Sequence, residues 1–96
     1  MSTPITDRRN LFEAILSLET VEDAGRFFRD LLTESEIAEF SNRWKAAQML
    51  DVKKPYTVII KETGLSSTTV ARISKWLHGN VGGYRRVLEK MQKDDS

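Results

Sequence analysis

Residues 56–78 are the most constraining stretch of this chain, because one glycine separates two short apolar patterns there. An apolar run precedes Gly64, and Val70, Ile73 and Leu77 follow it at the spacing of a single helical face. Glycine readily adopts the left-handed backbone that ends a helix in a tight turn. The pattern predicts two helices joined by a turn, the arrangement whose second helix enters a DNA major groove.

The second of these helices carries short polar, small or cationic residues away from its apolar stripe. Ser66 is placed to cap its start, and neighbouring hydroxyls cluster where helix amides favour a phosphate. We expect one of these hydroxyls to cap the helix. The predicted DNA-binding residues are Ser66, Ser67, Thr68, Ala71, Arg72 and Lys75, with Lys53, Lys54 and Lys61 on phosphates and further basic surface from Arg85, Arg86 and Lys90.

The charge of the chain is unevenly distributed, although its net value is only +1. Residues 1–52 hold six Lys/Arg and ten Asp/Glu, whereas residues 53–93 hold nine Lys/Arg and two Asp/Glu. A basic half that coincides with the helix-turn-helix pattern favours a polyanionic partner. A solvated basic face is the alternative that charge alone leaves open.

The remaining apolar periodicities predict an all-α chain of about six helices in a single domain, residues 1–96. We expect a first helix over residues 7–18, a second capped by Thr20, and a long one over residues 34–50. Thr33 and Glu36 form a capping-box pattern at the start of the long helix, and Phe40, Ala47 and Leu50 lie along its predicted apolar face. Pro55 suits the first position of the next helix, and the pair Gly82–Gly83 suits a loose connection before the last.

The first third of the chain carries more apolar surface than a helical hairpin needs for itself. Residues 11–32 contain two broad helical stripes, which include Phe12, Ile15, Phe27, Phe28 and Leu31. Part of this surface is expected to meet another subunit, which makes the chain a predicted homodimer.

Several functional classes find no support in the residues. The chain has no cysteine, no apolar run of membrane-spanning length and no apolar core of a signal peptide near its start, so a cytoplasmic protein without a membrane partner is expected. No catalytic or metal site is predicted, because the single histidine, His78, better suits a helix C-terminal cap or a phosphate contact. Trp44 and Trp76 lie on or beside apolar stripes and are expected to pack.

Two separated segments carry a family resemblance. Residues 31–36 (LLTESE) with Arg43, and residues 63–74 (TGLSSTTVARIS), resemble the Trp repressor family. The Tyr-x-x-Ile-x-x-Glu-Thr-Gly pattern at residues 56–64 is most similar to its YerC/YecD-like branch. Over residues 21–91 the resemblance implies six helices, an intertwined homodimer and paired reading of a palindromic operator.

The resemblance also implies a ligand site, with tryptophan held between two arginines. These match Arg43 and Arg72, and Thr33 matches a residue near the amino group of the ligand. The residue after the second arginine is glycine in tryptophan-binding members, where it leaves room for the ligand, but it is Ile73 here. Because Ile73 would fill that space, we predict no tryptophan co-repressor and no other cofactor.

Together these patterns predict a sequence-specific DNA-binding transcriptional regulator, a repressor acting as a helix-turn-helix homodimer, and not an enzyme. Two alternatives stay open. One is a protein-interaction module on a helix-turn-helix scaffold that does not bind DNA. The other is a small-molecule-gated repressor that uses Thr33, Arg43 and Arg72.

Overall fold

A computed structural model describes residues 4–80 and 82–94, and within them every regular element is a helix. The six helices confirm the predicted all-α fold. They are α1 (Ile5–Leu16), α2 (Val21–Leu31), α3 (Glu34–Asp51), α4 (Tyr56–Thr63), α5 (Ser67–Leu77) and α6 (Gly83–Asp94). The chain divides into two compact units, Met1–Ile37 and Ala38–Ser96. The single domain predicted over residues 1–96 stays a prediction.

The first helix lies two residues earlier than the apolar spacing predicts. Pro4, with φ of −55°, is the N-cap, and its fixed φ suits the entry to a helix. At the other end the Ser17 hydroxyl donates a hydrogen bond of 2.6 Å to the carbonyl of Ala14, so Leu18 lies outside the helix. Local backbone chemistry therefore sets both ends.

Helices α2 and α3 begin at the predicted caps. The Thr20 hydroxyl accepts a hydrogen bond of 3.0 Å from the Asp23 amide. The capping box before α3 is reciprocal: the Glu36 amide donates to the Thr33 hydroxyl at 3.2 Å, and the Thr33 amide donates to the Glu36 carboxylate at 2.9 Å. The amide and hydroxyl of Thr33 lower the pKa of Glu36 from its ordinary value. Two amides that a helix start leaves without partners are satisfied in this way.

The unit Met1–Ile37 leaves much of its apolar surface exposed in the single chain. None of its described residues is buried. Phe12 is 58% exposed and Leu16 is 83% exposed, while the rings of Phe27 and Phe28 meet edge to face at 5.5 Å. A partner that covers this apolar surface would stabilise these helices, because burial of apolar surface lowers the free energy.

The unit Ala38–Ser96 contains the buried core. The second half of α3 contributes small and flexible residues, and α4, α5 and α6 each add apolar side chains against them. Phe40 lies on the predicted apolar face of α3 but is 47% exposed, so that face was predicted too long. The core residues are Ala46, Ala47, Met49, Leu50, Ile59, Val70, Ile73, Leu77 and Leu88.

Helix α3 runs through Asp51 and ends in a turn built on a lysine. Lys53 has a φ of 63°, a left-handed conformation that residues with a Cβ rarely adopt. Its amide donates to Leu50 at 3.0 Å and the Lys54 amide donates to Met49 at 3.0 Å, the hydrogen-bond pattern of a Schellman motif. Pro55 then serves as the N-cap of α4 and not as its first residue.

Candidate nucleic-acid interface

The turn between α4 and α5 has the geometry predicted from Gly64. This glycine caps α4 with a φ of 73°, and its amide donates to the Ile60 carbonyl at 2.9 Å. Thr63, which sequence reasoning missed, is buried beside it. Its hydroxyl donates to the Ile59 carbonyl at 2.7 Å and accepts from the Leu65 amide at 3.2 Å, so it ties both sides of the turn together.

Helix α5 starts from a hydroxyl cap, as predicted. The Ser66 hydroxyl accepts a hydrogen bond of 3.1 Å from the Thr69 amide and lies 2.9 Å from the Thr69 hydroxyl. These two hydroxyls are therefore engaged with each other. Ser67 and Thr68 are exposed in the first turn of the helix, so their hydroxyls can reach a phosphate or a base edge.

The two sides of α5 are sharply different. Val70, Ile73 and Leu77 are at most 4% exposed, which confirms the predicted core stripe. Ala71, Arg72 and Lys75 are all exposed. A rigid helix anchored on one side and open on the other can insert into a groove. Contact of these residues with DNA stays a prediction.

The last turn of α5 contains one confirmed expectation and one error. His78 is the C-cap, and its Nδ1 lies 2.8 Å from the Ser74 carbonyl, to which it can donate. Trp76 was expected to pack, but it is 52% exposed because its position falls beside the buried stripe and not on it. Trp44, by contrast, packs against the core and stacks on Tyr84 at 6.4 Å between ring centroids.

The predicted phosphate-binding lysines are all exposed. Lys53 and Lys54 lie in the turn after α3, and Lys61 lies in the last turn of α4. Arg85 differs from them, because its guanidinium donates a hydrogen bond of 2.6 Å to Asp51 and its side chain is only partly exposed. Arg86 and Lys90 are exposed on α6.

The three residues of the implied ligand site have the following surroundings. Thr33 uses its hydroxyl as a helix cap. The guanidinium of Arg43 lies 3.4 Å from the Glu39 carboxylate, and its buried Nε has no hydrogen-bond partner among residues 4–80 and 82–94. Arg72 is exposed on α5, directly before the buried Ile73. The ligand role of all three stays a prediction.

The fold and this site define a class: an all-α helix-turn-helix protein with an open, basic second helix. A family model described as Trp repressor protein matches residues 7–92. The chain belongs to the Trp repressor family, which is a family of transcription regulators.

Relatives and solved structures agree with this assignment. The chain is 35% identical over 86 residues to the uncharacterized protein YerC of Bacillus subtilis (strain 168), covering 90% of this chain and 83% of YerC. It is similar to a TrpR-like protein from Eubacterium eligens ATCC 27750, with a TM-score of 0.80, 40% identity and coverage of 88% of this chain and 87% of that one. A proposed Trp repressor from Staphylococcus aureus gives a TM-score of 0.82 at 36% identity, covering 93% of this chain and 89% of that one. These matches confirm the resemblance to the YerC-like branch.

Among residues 4–80 and 82–94, the structure contains no helix that is both long and apolar enough to span a bilayer.

Proposed function

We propose that this protein is a sequence-specific DNA-binding transcriptional repressor that acts as a homodimer. The observation that carries the proposal is the two-sided helix α5. Its core stripe fixes the helix in place, and its other side presents Ala71, Arg72 and Lys75 to solvent. Arginine and lysine hydrogen-bond guanine edges in the major groove, and a small residue such as alanine contacts a thymine methyl group.

Charge supports DNA as the partner. Residues 53–93, which include both helices of the motif, carry nine Lys/Arg against two Asp/Glu. Neutralised phosphates release counterions, and this term supplies most of the non-specific affinity of such proteins. Exposed Lys53, Lys54 and Lys61 are placed on the turn and helix that precede α5, where phosphate contacts would set its register.

The homodimer is proposed from the uncovered apolar surface of the first unit. Side chains such as Phe12, Leu16 and Val21 are each more than half exposed in the single chain. A second copy is the partner that every molecule of the protein has available. A two-fold dimer would present two α5 helices related by symmetry, and such proteins read palindromic sites with half-sites about one helical turn apart.

The experiment that tests this function is a salt titration of binding to duplex DNA. For a DNA-binding protein, log Kd should rise steeply with log salt, by about 0.9 for each phosphate contacted. A protein-interaction module on the same scaffold would bind duplex DNA weakly at every salt concentration. Such weak binding would overturn the proposal.

A further inference from the structure

One carboxylate close to the helix-turn-helix lies in a position that is unfavourable for a negative charge. Asp51 is the last residue of α3, and its side chain is only 11% exposed. It lines a groove of about 220 Å³ together with Trp44, Leu88 and Met91. A negative charge at the C-terminal end of a helix is opposed by the helix dipole, and α3 has no basic residue in its last turn to compensate it.

Two residues of α6 each donate a hydrogen bond to this carboxylate. Arg85 donates to one oxygen at 2.6 Å, and Gln92 donates to the other at 2.8 Å. The Arg85 hydrogen bond is the main cause that lowers the pKa of Asp51, and the Gln92 hydrogen bond acts in the same direction. Arg85 also stands against its own helix dipole, since it lies in the first turn of α6. Neither charge is therefore explained by the local stability of its helix.

The position of this pair along the chain suggests its role. Asp51 is where the chain enters the segment that contains α4 and α5, and Arg85 is where the chain leaves it, 34 residues later. The ion pair therefore links the start and the end of the helix-turn-helix segment. Helix α6 packs on α5, and Leu88 of α6 shares the core with Ile73 and Leu77 of α5. A fixed α6 consequently fixes α5.

We propose that Asp51, Arg85 and Gln92 form a clamp that sets the orientation of α5 and on which sequence-specific DNA binding depends. The inference rests on the proposed function. Asp51 is a positioning residue here, because it acts through α6 and not through the DNA. Recognition geometry must be held to a fraction of an ångström by supporting hydrogen bonds. Loss of the hydrogen bonds of the clamp should therefore lower specific affinity.

Electrostatics makes this role separable from a simple charge effect. Removing a negative charge from a DNA-binding protein should strengthen its binding to any duplex. Loss of the clamp should instead weaken binding to the selected sequence, by about threefold to thirtyfold, and leave binding to scrambled DNA unweakened. The two explanations therefore predict opposite changes in the affinity of Asp51→Asn for the selected duplex.

The experiment compares full-length variants on the duplex that the wild-type protein selects and on a scrambled duplex. Asp51→Asn is matched by Glu89→Gln, which deletes one negative charge from the exposed side of α6. The clamp predicts a lower ratio of specific to scrambled affinity for Asp51→Asn alone. An Asp51→Asn protein that binds the selected duplex as tightly as Glu89→Gln does would overturn it.

A charge swap keeps the test decisive if Asp51→Asn does not fold. Asp51→Arg combined with Arg85→Asp restores the pair with its polarity reversed, and both new charges agree with their helix dipoles. The side-chain carbonyl oxygen of Gln92 can accept a hydrogen bond from the new guanidinium. A folded swap variant within threefold of wild-type specific affinity supports the clamp, and a folded variant that has lost specificity overturns it. If wild-type protein selects no sequence at all, the proposed function itself fails, and the role of the clamp fails with it.

Discussion

Arg72 and Ile73 are consecutive residues of α5 that face opposite environments. Ile73 is 4% exposed in the core, whereas the Arg72 side chain is exposed to solvent. Because the backbone around Ile73 is fixed by packing, the direction in which Arg72 leaves the helix is fixed as well. This relationship makes α5 suitable for reading DNA, and it separates the outward surface from the core beneath it.

Arg72→Ala should weaken binding to the selected duplex by about 1–3 kcal/mol and relax the base preference at one position of each half-site. The reason is the loss of a guanidinium that we propose hydrogen-bonds base edges. Lys61→Ala is the control, because the loss of a phosphate contact should weaken binding to all duplexes alike. Fluorescence anisotropy at constant salt measures both variants. Equal losses on selected and scrambled DNA for Arg72→Ala would contradict a base contact.

Lys53→Gly should change stability and DNA affinity in opposite directions. Lys53 has a φ of 63°, so glycine would relieve strain, and the free energy of unfolding should rise by up to about 1 kcal/mol. The same change removes a proposed phosphate contact and should weaken DNA binding. Lys54→Gly is the matched control: it loses the same charge at a residue without positive φ, so it should weaken binding and also lower stability. Denaturant unfolding and salt-controlled gel shifts measure both. Unchanged DNA affinity in Lys53→Gly would remove Lys53 from the interface.

Phe12→Asp should dissociate the proposed dimer. It replaces an aromatic ring that is 58% exposed in the single chain by a carboxylate, whose burial in an interface is unfavourable. Sedimentation velocity should then give the 11.0 kDa of one chain, in place of twice that mass for the wild-type protein. Asn10→Asp introduces the same residue on the opposite side of α1 and should leave the dimer intact. A wild-type protein that sediments as a single chain at micromolar concentration would refute the dimer.

Tryptophan should neither bind the protein nor change its affinity for DNA. Ile73 occupies core space directly after Arg72, where the family resemblance implies that tryptophan-binding members carry glycine. Isothermal titration of tryptophan into the protein should therefore give no saturable heat. Saturable heat accompanied by tighter binding of the selected duplex would instead establish a gated repressor.

Local patterns predicted the parts of the fold that local chemistry determines. The Ser66 cap, the Gly64 turn, the Thr33–Glu36 capping box and the Ile73 stripe each depend on residues within one or two helical turns, and all four were confirmed. Helical periodicity carries this information directly.

Contacts between distant residues were not visible in the sequence. The bond from Arg85 to Asp51 spans 34 residues, and Arg85 was consequently expected to add to the basic surface. The sequence predicts Trp76 on or beside an apolar stripe and Phe40 on an apolar face. Both are about half exposed, because the extent of a buried face depends on which helices pack against it. Thr63 was missed because its buried hydroxyl is explained only by the turn that it satisfies.

Selection of bound sequences from random duplex DNA by the purified wild-type protein tests the central claim most directly. A homodimer that reads DNA through two α5 helices should enrich a palindrome whose half-sites lie about one helical turn apart. Arg72→Ala should lose part of that enrichment. Recovery of no common sequence, at a salt concentration where the protein still binds DNA, would contradict sequence-specific recognition by this helix.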